Sequence, residues 1–229
     1  ERFPDFWELI GNRNQSPTSA SAFHTAPELT HQLDIGYHVR NAELEWLVHG
    51  FYNRIDRFIL IENGQHRQPD LVRNIATESW GTEAMLTYRM TPQWLLDATL
   101  AYTHGSNLSD RRPLAQQPPL ELKFGAEYRQ HDWTFAGLWR VVAQQNRVAI
   151  GQGNIVGNDF KTTAGFGVLA INAHWQVAPR WQISFGIDNL LDHTYAEHLS
   201  TAGAMVAGFE QTAQVHEPGR TFWLKLDYQ

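Results

Sequence analysis

The chain has 229 residues, 42% of them hydrophobic, and a formal charge of −6, so it can bury a core but lacks the Lys and Arg excess of a nucleic-acid binder. No run approaches the ~18 apolar residues of a membrane-crossing helix and the mean hydropathy is −0.42, which excludes helical spans but not a β-barrel, whose strands meet lipid only at every second residue. The absence of Cys excludes disulfides, a thiolate nucleophile and thiolate metal ligands.

Position 1 is a Glu within "ERFPDFWELI", with neither an initiator Met nor a signal segment, so the chain is expected to begin after something has been removed. The first clear pattern follows at 29–40, where Leu33, Ile35, Tyr37 and Val39 alternate with Asp34, Gly36 and His38. Leu44, Trp46 and Val48 then oppose Glu43, Glu45 and Leu47. Weaker copies occupy 78–89 and 94–103. "LELKFGAEYR" sets Leu120, Leu122, Phe124, Ala126 and Tyr128 against Glu121, Lys123, Gly125, Glu127 and Arg129. Further copies lie at 133–143 and 166–177, and "WQISFGIDN" sets Trp181, Ile183, Phe185 and Ile187 against Gln182, Ser184, Gly186 and Asp188. The chain ends on "EPGRTFWLKLDYQ", where Phe222, Leu224, Leu226 and Tyr228 share one side and Trp223, Lys225 and Asp227 the other. About nine two-faced strands are predicted.

The connections alternate in length. Short links at Asn41 and Ala42, Thr91 to Gln93, Gln130 to Asp132 and Ala178 to Arg180 are separated by long ones near 55–74, 104–118, 144–163 and 190–216. An antiparallel meander with two unlike ends fits an outer-membrane barrel with short periplasmic turns and long extracellular loops, and fits a soluble sandwich poorly. Tyr88 and Trp94, Tyr128 and Trp133, and Trp175 and Trp181 flank three of the short turns, where an aromatic girdle belongs. With the short turns periplasmic, the first and last strands both descend and residues 1–28 belong to an extracellular loop. An odd set of strands that starts outside cannot close a standard bacterial barrel, so this is expected to be the C-terminal part of a larger one.

"FGIDNLLDHTYAEHLS", "EPGRTFWLKLDYQ", "PELTHQLDIGYHV" and "GFYNRIDRFILI" resemble the closing strands of TonB-dependent outer-membrane receptors. "ERFPDFWEL", "LWRVVAQQNRVAIGQGNIVGNDF", "AGFGVL" and "AEHL", in that order, make the TonB-dependent copper receptors the nearest likeness, over essentially the whole of 1–229. The resemblance implies an all-β, transmembrane, antiparallel up-and-down barrel of roughly 22 strands around an N-terminal plug. The plug and the TonB-contacting segment would precede residue 1. It also implies a location in the bacterial outer membrane and import of copper as substrate with no resident cofactor. The expected partners are TonB, the plug, outer-membrane lipids and lipopolysaccharide, and the barrel-assembly machinery, with no nucleic acid. Relatives commonly end in Phe one place beyond the Gln seen here. Uptake of another metal chelate or siderophore is the alternative, with a passive porin behind it.

The motifs also have mechanical readings. Asp188 and Asn189 in "DNLLD" suit a strand exit, because their side chains bond nearby backbone, and Pro218 and Gly219 shape the entry to the last strand. Copper(I) favours soft donors, and imidazole suits either oxidation state. Among eleven His and three Met, the loop residues His193, His198 and Met205 are the metal candidates, with His216 on the same loop and His24 and His66 on others; their spacing matches no compact ligand motif. The resemblance places the copper-binding Cys and Met in the plug and maps no ligand onto this chain. Alternation points His38, His49, His174 and Met85 inward, the three His as hydrogen-bonding partners of the plug. Ser106, His104 and Asn107 are the residues an outer-membrane lipase would use, but no nucleophile elbow accompanies them, and an enzyme is not expected. Glu43, Glu45, Glu121, Glu127 and Asp188 are the acids of a polar interior.

Overall fold

The computed structural model describes residues 1–10, 15–17, 21–64, 70–199 and 214–228. Among them one short helix, α1 (Phe6–Ile10), is followed by twelve strands: β1 (Leu29–Arg40), β2 (Leu44–Glu62), β3 (Leu71–Arg89), β4 (Trp94–Asn107), β5 (Arg112–Pro113), β6 (Glu121–Gln130), β7 (Trp133–Val142), β8 (Gln152–Asn154), β9 (Gly157–Asn158), β10 (Phe166–Ala178), β11 (Trp181–Asp188) and β12 (Thr221–Tyr228). The nine long strands pair antiparallel, each with its neighbour in the chain, to form one sheet with β1 and β12 at its edges. The sheet is open among the described residues.

Side chains make the short links. Asn41 Oδ1 accepts from the backbone of Glu43 and Leu44 at 2.9 and 2.8 Å, and Thr91 Oγ1 does the same for Gln93 and Trp94 at 3.2 and 3.0 Å. Between β6 and β7 the chain reverses over two residues, with His131 at φ 54°.

Register carries the alternation across the whole sheet. Leu33 faces Tyr52, Tyr52 faces Trp80, Trp80 faces His104, and at the other end of the sheet Trp175, Ile183 and Leu226 stand side by side. One face is therefore a continuous apolar surface, and its side chains are exposed: Ile35 by 68%, Leu224 by 76%. They do not pack into a core. The buried apolar cluster is small, consisting of Ala22, Ile59 and Val72 with Ile61 beside it.

That cluster explains a departure from the sequence reading. The stretch 55–74, expected as a long connection, is mostly strand, because β2 and β3 continue to Glu62 and from Leu71 beyond a register shift between Ile55 and Phe58, with Arg57 at φ 63°. Beyond that bulge Ile59 and Val72 pack inward and both faces are occupied, so the two-faced pattern that marks the rest of the sheet is lost. The stretches 104–118 and 144–163 likewise contain the short returns β5 and β8–β9.

A belt of rings follows the short-turn end of the apolar face. Tyr37 meets Trp46 at 5.3 Å, Trp94 meets Tyr128 at 4.8 Å, Trp133 stacks on Trp175 at 5.2 Å and Trp181 meets Tyr228 at 4.8 Å between centroids.

Candidate functional site

The other face is polar and self-paired. His38 lies 3.1 Å from Glu45, His49 lies 3.3 Å from Asp34, and His174 Nδ1 is 2.7 Å from the hydroxyl of the buried Ser184. Met85 sits on this face opposite Leu47, 39% exposed. Each inward-pointing His thus already has a partner within the sheet. Glycine lets some large side chains lie flat here: Phe51 covers Gly81 and the Trp223 ring covers Gly186, where a Cβ would collide with them.

At the long-loop end two charged centres tie separate segments together. Asp159 has a fully buried side chain. Its Oδ1 accepts from the backbone and side-chain amides of Gln116 at 2.9 and 3.1 Å, and its Oδ2 from the backbone of Ala149 at 2.8 Å. A buried carboxylate persists only when its oxygens are satisfied in this way. His198 comes from the next loop and docks against the same centre. Its side chain is 2% exposed, with Nδ1 at 2.8 Å from Thr163 Oγ1 and Nε2 at 3.7 Å from Asp159, beyond hydrogen-bonding distance.

Arg140 forms the second centre. It reaches from β7 to Glu121 on β6 and in two-pronged fashion to Glu197, and its guanidinium lies 5.3 Å from the Phe166 ring centroid. Phe166 packs on Tyr195 at 4.3 Å, and Tyr195 accepts a backbone bond from Glu217. Glu121, Arg140, Glu197, His198 and Glu217 line a recess of about 480 Å³. A third knot, Arg73 with Glu62 and Asp110, holds the tops of β2, β3 and the 108–111 turn together, and Arg73 keeps the Asp110 carboxyl below its ordinary range.

"DNLLD" is mechanical, as its residue types suggest. The buried Asn189, at φ 48°, spans the loop mouth by donating to the carbonyls of His193 and Pro218 at 2.8 and 3.2 Å, and Asp192 accepts from the backbone of Arg220 at 2.8 Å.

The metal candidates that are described have other neighbours. His193 stacks on Tyr195 at 6.5 Å while His198 is buried against Thr163, Met205 and His66 lie outside the described residues, and His24 and His216 are exposed. Among the described residues no group of three or more His, Asp or Glu is arranged to hold a metal ion. Nor does β4 assemble a catalytic triad: Ser106 and His104 lie on one face, with His104 stacked on Trp80 at 5.1 Å, while Asn107 lies on the other and donates to Asp110. The sequence reading missed Asp159, Arg140 and Glu197, since a lone acid in a loop and an Arg in a strand carry no local signature.

Burial pushes the His198 imidazole down, with Asp159 opposing. A His kept neutral by folding stabilises its surroundings fully above its unfolded value of ~6.5 and loses that contribution as pH falls through it. Loop protection from protease, measured at pH 7.5 and pH 5, should therefore fall at the lower pH in the intact protein and become less pH-dependent in His198→Gln. Equal pH dependence in both proteins would contradict this.

The model for the TonB-dependent receptor-like β-barrel matches residues 1–190. A solved structure, the copper transporter OprC, is 43% identical, with a TM-score of 0.92 over 99% of this chain and 36% of its own. The FrpB iron transporter from Neisseria meningitidis is 17% identical, with a TM-score of 0.68 over 90% of this chain and 32% of its own. The ferric yersiniabactin uptake receptor FyuA from Yersinia pestis is 14% identical, with a TM-score of 0.67 over 88% of this chain and 30% of its own, and these last two share the fold. The chain thus spans about a third of the length of each of these three solved structures. No curated protein sequence matches it.

Proposed function

The chain belongs to the TonB-dependent receptor β-barrel family, and we propose that it supplies nine long strands and several outer loops of a receptor that imports copper across the bacterial outer membrane. The observation that carries this reading is the 43% identity to a copper transporter over 99% of the chain. The apolar face meets lipid and the polar face meets the lumen and plug. Trp80 and Tyr88 stand at the two ends of that face of β3, roughly 27 Å apart along the strand. At a tilt near 40° that spans roughly 20 Å of height, close to the ~25 Å apolar band of such barrels.

The short-turn end then lies in the periplasm and the loop centres at Asp159 and Arg140 lie outside the cell. Copper is captured at the extracellular side, and TonB, drawing on the inner-membrane proton gradient, pulls on the plug to release it inward. This chain's residues build the route. The His–acid pairs of the polar face keep the lumen hydrated and charged, and the Asp159 and Arg140 centres hold the outer loops in register. With no Cys and scattered His, the high-affinity copper ligands are expected outside this chain.

A second reading, uptake of an iron chelate, is favoured by the fold shared with iron transporters. Deleting the full-length gene and measuring cellular metals separates the two. The copper reading expects copper accumulation at limiting copper to fall several-fold with iron unchanged; unchanged copper with lost iron–chelate uptake would overturn it.

A further inference from the structure

The apolar face is not evenly clad. Neighbouring rows across the strands bring Ala126, Gly137 and Ala173 together, and these small residues floor a hollow of about 470 Å³ walled by Trp94, Tyr128, Phe135 and Phe185. That volume is in the ~300–1,000 Å³ range of small-molecule sites.

Gly137 keeps the floor of the hollow open. Glycine weakens a strand interior and commonly marks the approach of a ligand or another backbone. At Gly81, Gly125 and Gly186 the wall itself requires glycine, because Phe51, Asp97 and Trp223 occupy the space a Cβ would need. At Gly137 nothing does: a Cβ would find its nearest neighbours at 3.9 and 4.0 Å, ordinary contact distance. The space is thus available for a side chain and the sequence leaves it open.

What fills it follows from its level. Trp94 and Tyr128 belong to the ring belt beside the short turns, and the hollow opens just above that belt on the face that meets hydrocarbon. Its lining is almost wholly apolar with aromatic walls, and among the described residues the strands of this face carry no element that projects from the sheet for a second copy to insert. A single hydrocarbon chain has the right shape and chemistry.

We propose that this hollow seats one acyl chain of a phospholipid from the periplasmic leaflet. The proposal rests on the membrane reading of the apolar face and is independent of the substrate. Its test uses the full-length receptor, purified from outer membranes in mild detergent, incubated with dioleoyl phosphatidylethanolamine and examined by native mass spectrometry. The wild type should hold about one lipid through detergent exchange, and Gly137→Leu should reduce retention several-fold. Gly50→Leu, the same change on the same face away from the hollow and equally free of neighbours, should retain lipid like the wild type. If Gly137→Leu fails to assemble, as judged by heat-modifiable migration, Ala126→Leu is read in the same way. Equal retention in all variants overturns the proposal, as does retention of lipid A alone, which is an outer-leaflet lipid, or a dimer that disappears with Gly137→Leu. Copper uptake by Gly137→Leu should be unchanged, so loss of the copper reading would leave this one standing.

Discussion

Leu224→Arg is expected to prevent stable assembly of the receptor, while Lys225→Gln one residue later is tolerated. Leu224 lies on the apolar face of β12, 76% exposed and opposite Phe185, roughly 13 Å along the strand from the belt residue Tyr228. An Arg at the midplane of a barrel's lipid face costs about 2–4 kcal/mol, and the cost falls toward the interfaces. Lys225 is on the polar face, where it pairs with Asp227 at 2.8 Å with its side chain 67% exposed. A surface pair of that kind contributes under about 1 kcal/mol. The fraction of receptor that migrates as a folded, heat-modifiable species in outer membranes reads the difference. Equal effects at the two positions would refute the assignment of faces.

The second large effect is expected at Asp159. Removing its carboxylate in Asp159→Ala strands the backbone amides of Gln116 and Ala149 without acceptors and takes away the anion beside His198. A stranded buried donor costs about 1–3 kcal/mol, so losing the acceptor of two amides weakens the loop assembly by about 2–5 kcal/mol. The strands of the wall do not use Asp159, so assembly should survive while the segments around 116, 149 and 198 become protease-sensitive on intact cells. Asp159→Asn, which keeps one acceptor oxygen, should be intermediate. Protection unchanged in Asp159→Ala would mean that the loops are held by other contacts.

Much of the wall was legible in the sequence because a single physical rule writes it. Where one face meets lipid and the other a wet interior, apolar residues fall at every second position, and "TFWLKLDY" or "LELKFGAEYR" shows the rule without help from the fold. The short links were legible as brief gaps between two patterned strands, while the hydrogen bonds by which Asn41 and Thr91 hold two of them emerge only in the fold. The rule breaks above the bulge at Ile55 and Phe58, where both faces of the paired strands are covered and Ile59 and Val72 enter a buried cluster; there the strands read as a loop.

The loop centres were illegible for a different reason. Asp159 matters because Gln116, Ala149 and His198 converge on it from distant parts of the chain, and Arg140 because Glu121 and Glu197 do. No spacing in the sequence encodes that convergence. The His residues illustrate the converse. They looked like scattered candidates, and the fold gives them scattered duties: His174 bonds Ser184, His193 stacks on Tyr195, and His198 fills a buried joint.

The claim beneath all of this is that the apolar face meets hydrocarbon. Single spin labels placed at successive positions of β12 in the full-length receptor, reconstituted in bilayers, test it directly through their collisions with oxygen and with a water-soluble nickel complex. Labels at 222, 224 and 226 should favour oxygen and labels at 223, 225 and 227 the nickel complex, in strict alternation. Uniform accessibility along the strand, or nickel access at 224, would contradict it.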